Sequence, residues 1–246
     1  MLRAGWTFEF QLCNWGEVNV VTGEKSTSEL RQQALVVHQR LLSYYGMPTW
    51  RPGLPPVAEL VSTILSQNTN DHNRDLAYQR LVAAFPTWEQ VRDADLEKVI
   101  EAIRSAGLGN QKGRRIQAVL REITRQRGSL DLSFLKDLSR DQALEWLKQF
   151  KGVGPKTAAI VLQFSLGVPA MPVDTHIYRV TGRIGLRPEK LSVEQTHLHM
   201  ETLLPPESYF AAHLNLIRLG REICHPRHPD CPMCPLNNLC AYALGK

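Results

Sequence analysis

The chain has 246 residues, 43% of them hydrophobic and 22% charged, with a formal net charge of +5. That length buries a core without disulfide reinforcement, and the composition excludes a disordered, fibrous or small disulfide-stapled protein. The longest apolar run, residues 157–173, is broken by Gln163, Ser165, Gly167 and Pro169, so no membrane span is expected.

Residues 6–12 alternate apolar and polar, which suits a short strand. Polar Glu9, Gln11 and Asn14 interrupt the apolar residues there, so no secretory leader is expected and the protein reads as intracellular and cytoplasmic. From Ser28, a candidate N-cap, Leu30, Ala34, Val37, Leu41 and Tyr45 share one helical face. A turn-rich stretch, 46–56, ends that helix. Three- and four-residue apolar spacing then predicts helices over 57–66, 74–85, 95–105, 112–125, 140–149, 156–166, 175–184, 193–203 and 208–219, separated by Gly, Pro or Asn. Past the first twenty-odd residues no segment reads as a strand, so the fold class is all-α. No solenoid-period repeat or low-complexity tract is present, and no linker marks a domain split.

Between two predicted helices lies Lys151-Gly-Val-Gly-Pro-Lys-Thr-Ala158. Gly152 and Gly154 permit a sharp reversal, and Pro155 suits the first helical position, leaving a helix start that points out of the turn. Such a helix–hairpin–helix can hold a nucleic-acid backbone by its amides, although a plain inter-helix turn has the same composition. Lys156 in the first turn opposes the helix dipole, where a purely structural position would favour Asp or Glu. A lysine there suits a nucleophilic amine as well as a solvated surface residue. Eighteen residues on, Asp174 opens Val173-Asp-Thr-His-Ile177 as a candidate N-cap, and a carboxylate so held could also steady positive charge on a sugar ring. His176 reads as structural.

Four of the five cysteines, Cys224, Cys231, Cys234 and Cys240, form C-x6-C-x2-C-x5-C, and Cys13 stands apart. A cluster this tight suits soft-metal ligation better than disulfides in a reducing compartment. Its single C-x2-C pair leans towards a [4Fe–4S] cluster over tetrahedral zinc, for which His225 and His228 are alternative ligands.

Taken together and in this order, Gly152–Ala158, Val173–Ile177 and the cysteine ending closely resemble the endonuclease III family of helix–hairpin–helix (HhH-GPD) DNA glycosylases. The resemblance covers about residues 28–242. It implies two helical lobes, a six-helix barrel over 56–167 and a second lobe made of 28–55 and 168–246, with residues 1–27 as an extension that matches nothing. By the same resemblance Cys224, Cys231, Cys234 and Cys240 hold a [4Fe–4S] cluster, and double-stranded DNA bearing damaged bases or abasic sites binds between the lobes of a monomer. Lys156 corresponds to the family nucleophile and Asp174 to its catalytic partner, implying a glycosylase with abasic-site lyase activity on oxidised pyrimidines. A monofunctional mismatch or alkylated-base glycosylase and a non-catalytic DNA-binding iron–sulfur protein are the alternatives.

The resemblance also implies DNA contacts at Gly152, Val153 and Gly154 of the hairpin, and at two loops. Ile64-Leu-Ser-Gln-Asn-Thr-Asn-Asp71 lies where the family fills the gap left by a flipped base. Asn68 falls at the gap-filling position, with Gln67 one place earlier. Leu108, in Gly107-Leu-Gly-Asn-Gln-Lys112, is the candidate wedge between bases, or else a core leucine. Residues 104–127 carry seven basic side chains against Glu122 alone, which suits phosphate contacts as well as a solvated helix face.

Overall fold

The computed structural model describes residues 25–245, and the strand expected over 6–12 lies outside them. The described residues contain helices and turns but no strand, as expected for the all-α class.

Helix α1 (Thr27–Tyr45) starts two residues earlier than expected. Ser26, not Ser28, is the N-cap, because Glu29 lies three residues on and closes a reciprocal capping box with it. Helices α2 (Pro56–Ser66) and α3 (Asp71–Ala84) follow, α3 capped by Asn70. Sequence periodicity missed α4 (Trp88–Asp93), a six-residue helix too short to show a face but marked by a Thr87–Gln90 capping box. After α5 (Leu96–Ala102) a 3-10 turn, Arg104–Ala106, leads to α6 (Gly109–Arg127) and then α7 (Arg140–Lys148). The helix expected over 156–166 is α8 (Pro155–Ile160), continuing as a π-helical turn, Val161–Leu166, that Gly167 ends in the left-handed conformation at φ 68°. Helices α9 (Thr175–Ile184), α10 (Val193–Leu203) and α11 (Tyr209–Glu222) complete the main body. No described helix is long and apolar enough to cross a membrane.

The buried apolar residues form two separate cores. One, built on Leu60, Ile64, Leu81, Ile116, Leu120 and Val161, is enclosed by α2 to α8. The other, built on Leu41, Val173, Ile177, Met200, Leu216 and Leu236, joins α1 to α9, α10, α11 and the cysteine-bearing end of the chain. A fully buried Leu or Ile contributes about 1.5–3 kcal/mol relative to exposure, so each core holds its own lobe together. The chain crosses between them at Ala170 and Met171, immediately before Asp174.

Candidate active site

A cleft of about 880 Å³ runs between the lobes, and Gln67, Asn68, Gly154, Lys156 and Asp174 all line it. Two helix starts supply the pair Lys156 and Asp174. In the hairpin only Gly152 takes positive φ, at 86°, while Gly154 is extended and caps α8, with Pro155 in its first position. The reversal therefore needs one left-handed residue, not two. Lys156 follows, exposed to the cleft, and among the described residues it joins no ion pair. Asp174 is the N-cap of α9 as its sequence position implied, its Oδ1 accepting the Ile177 N–H at 2.8 Å.

The backbone leading to Asp174 is fastened residue by residue. Gln163 Oε1 accepts the Ala170 N–H at 3.2 Å, and Glu201 Oε1 accepts the Met171 N–H at 2.9 Å. His213 Nδ1 donates to the Pro172 carbonyl at 2.8 Å. His197 Nδ1 lies 3.1 Å from the Met171 carbonyl and 3.2 Å from the Val173 nitrogen, so it is engaged in either tautomer. Burial pushes both imidazoles down to about 4, with the positive charge of Lys156 adding to the shift in each. Both rings are neutral at neutral pH, so a proton on His213 Nδ1 leaves its Nε2 an acceptor.

Arg221 of α11 and Asp71 of α3 meet at 3.0 Å across the cleft, Arg74 standing 3.7 Å from the same carboxylate. Both partners are about half exposed, so this bridge orients side chains more than it stabilises the fold. At the cleft edge Glu59 is raised above the ordinary carboxylate range by burial, with Arg74 and hydrogen bonds from Leu54 and Thr63 opposing.

The two loops implied in DNA contact share a backbone feature. Asn68 (φ 53°) and Leu108 (φ 50°) are left-handed without being glycine, and both are exposed. Neither gains burial in return for the strain, the pattern of residues held for function. Leu108 is 53% exposed, which removes the core-leucine reading, although it does not line the cleft. Gln67 differs from its neighbour: its amide donates to the Gly152 carbonyl at 3.2 Å and its carbonyl accepts from Arg115. Gln67 is thus a strut between the hairpin and α6. Gly152 is exposed, whereas Val153 points into the first core with 4% exposure and donates its N–H to the Phe150 carbonyl at 2.9 Å. In the basic stretch 104–127, Lys112 is buried at 1% exposure, correcting its place among the phosphate contacts.

The four cysteines Cys224, Cys231, Cys234 and Cys240 line a separate small cavity with Arg183 and Tyr242. Burial raises the thiols of Cys234 and Cys240, and the neighbouring cysteines raise both further, so the four sulfurs act on one another. Arg183 donates to Cys224 Sγ at 3.3 Å. Among the described residues no three His, Cys, Asp or Glu side chains converge on one metal-ion position, and His228 is exposed. Four thiols facing one small cavity are a donor set suited to a soft metal centre.

No sequence signal pointed to Glu201, His197 or His213. Their partners are backbone groups, which every residue carries, so no pattern of residue types marks the contact.

Comparison with known proteins agrees with this geometry. Residues 61–206 match the model of the HhH-GPD superfamily base excision DNA repair protein. Endonuclease III of Thermotoga maritima is 32% identical over 187 residues, which are 76% of this chain and 83% of that protein. A candidate DNA glycosylase of Arabidopsis thaliana is 36% identical over 67% of this chain, which spans 56% of that protein's length. The solved structure of a non-covalent Endonuclease III–DNA complex superposes with a TM-score of 0.75 at 28% identity, covering 87% of this chain and 97% of that one. With two helical lobes around a cleft and a glycine hairpin beside it, the chain belongs to the HhH-GPD superfamily of base excision DNA repair proteins.

Proposed function

We propose that the protein is a bifunctional DNA glycosylase and abasic-site lyase that removes oxidised pyrimidines from duplex DNA through a Schiff base on Lys156. The observation that carries this reading is an exposed lysine that joins no ion pair among the described residues and shares one cleft with a helix-capping carboxylate. DNA lies across the cleft, with Asn68 filling the space of the extruded nucleotide, Leu108 wedging the opposite strand and the Gly152–Gly154 turn meeting phosphate. Gln67 contributes by bracing the hairpin.

Base release requires C1′ to be out of the stack. Lys156 Nζ, once deprotonated, gives its lone pair to C1′ while the C1′–base bond breaks, and the base departs with the pair of that bond and takes up a proton from water. The Asp174 carboxylate, held at its helix start, steadies the positive charge that develops on the sugar. The alkylated nitrogen gives up one proton, the C1′–O4′ bond breaks with its electron pair passing to O4′, which takes up a proton in turn, and the resulting C1′=N iminium acidifies the C2′ proton. Loss of that proton expels the 3′ phosphate by β-elimination. Water then frees Lys156.

Cys224, Cys231, Cys234 and Cys240 would hold the [4Fe–4S] cluster, which would fasten the C-terminal loop and supply a redox-active centre. As isolated without oxygen, the protein is expected to be brown and to contain about four irons per chain. Stoichiometric zinc in a colourless preparation would overturn that assignment.

The decisive experiment is borohydride trapping on a duplex containing an oxidised pyrimidine. A covalent adduct with wild type and none with Lys156→Ala is the expected result. Base release without adduct or strand scission defines a monofunctional glycosylase instead, and salt-dependent binding without turnover on any lesion a non-catalytic protein.

A further inference from the structure

Lys112 is the one lysine among the described residues that is fully buried, and nothing in the proposed chemistry uses it. Its Nζ donates to the Leu65 carbonyl at 2.7 Å and to the Ala106 carbonyl at 2.8 Å. Leu65 lies in the last turn of α2, three residues before Asn68, and Ala106 ends the 3-10 turn, two residues before Leu108. One ammonium therefore caps two C-terminal helical ends, where unsatisfied carbonyls and the helix dipole both favour a cation. Each end runs directly into a left-handed residue, Asn68 or Leu108. The amine is itself anchored in the first turn of α6, which Leu108 opens as N-cap.

We infer that Lys112 is a positioning residue that fixes the spacing between the gap-filling loop and the wedge loop, so that Asn68 and Leu108 enter DNA as one unit. Two insertions that must meet a duplex at once need a set separation, and two strained loops without a common anchor would each sample several. An apolar residue fills the same volume but leaves two buried carbonyls without partners and the loops independent. Lys156 and Asp174 are carried by α8 and α9, outside the two loops that Lys112 joins.

This inference rests on the DNA-opening part of the proposed function but not on the Lys156 chemistry, and it is tested without turnover. The probe is a duplex with a tetrahydrofuran abasic analogue opposite 2-aminopurine, whose fluorescence rises when the opposing base is unstacked. Wild type is expected to give a rise. Lys112→Met is expected to lose most of it, and base removal from duplex to slow by roughly 10- to 100-fold, the scale of a small misplacement of inserted groups. A merely destabilising substitution would act equally in any background. Through Leu108 the loss is instead non-additive, so Lys112→Met in a Leu108→Ala background is expected to change little further. Should Lys112→Met fail to fold, Lys112→Gln, which keeps one amide donor, is read in the same two backgrounds. Equal effects with and without the Leu108 side chain, or a wild-type signal from Lys112→Met, overturn the inference. No rise with wild type removes the DNA-opening reading itself, whatever the lysine does.

Discussion

Arg140 on α7 and Glu201 on α10 face each other across the two lobes at 3.0 Å, and the other oxygen of the same Glu201 carboxylate accepts the Met171 N–H at 2.9 Å. The side chain of Glu201 is 7% exposed and its carboxyl is pushed up by burial, with Met171 and Arg140 pulling it back. One carboxylate thus ties the α2–α8 lobe to the segment that delivers Asp174. Glu201→Leu orphans a buried N–H and one side of a partly buried guanidinium, so a loss of about 2–4 kcal/mol is expected in chemical denaturation. Glu201→Gln keeps an acceptor for Met171 and should lose less. Equal stability of the leucine variant and wild type would refute the tie.

Asp174 combines capping and chemistry, and asparagine separates them. Asn accepts the Ile177 N–H as well as Asp does, so Asp174→Asn is expected to change stability by less than about 0.5 kcal/mol. Removing the charge from the cleft should nonetheless lower single-turnover base release by about 100- to 1000-fold. If stability and rate fall together, the carboxylate is structural only.

The two buried imidazoles predict a stability profile with a definite sign. His197 and His213 sit at about 4 when folded against an ordinary 6.5, so the unfolded chain binds more protons between those values. Their contribution is complete above pH 6.5 and is lost as pH falls towards 4, by up to about 3 kcal/mol for each ring. Glu201, shifted upward, opposes this in part at the acid end. Around His213 the charged neighbours are Lys156, Arg221 and Asp174, of which only Asp174 favours the imidazolium. Thermal melts from pH 7.5 to pH 5 should fall steeply for wild type and more gently for His197→Gln.

Leu108→Gly sets stability against function. Glycine adopts φ 50° without strain and removes an exposed apolar side chain, offsetting its greater freedom in the unfolded chain, so the variant should be as stable as wild type or better by about 0.5–1 kcal/mol. Without the wedge, base removal from duplex should slow while borohydride trapping on a single-stranded abasic oligonucleotide is kept. A loss of both would show that the leucine supports the fold.

Much of the fold was legible because helical periodicity is a local property. The faces of α1, α9 and α10 repeat every three to four residues, and Asp174 announces its own cap. Where local signals compete, reading failed in specific ways: Ser28 yields to Ser26 because of Glu29, and α4 is shorter than any periodic window. The motif from Gly152 to Ala158 located Lys156, but not which hairpin residues face outward, since Val153 and Gly154 differ in exposure only through packing.

The order of the hairpin, the capping aspartate and the four cysteines was set by the linear chain, and with it the family. Tertiary structure alone decided that Gln67 braces while Asn68 is exposed, that Lys112 turns inward among seven basic residues, and that Glu201, His197 and His213 hold the approach to Asp174. The reason is physical. Periodicity, caps and metal spacing are written in residue types, whereas a carbonyl looks the same at every position until the fold brings a donor to it.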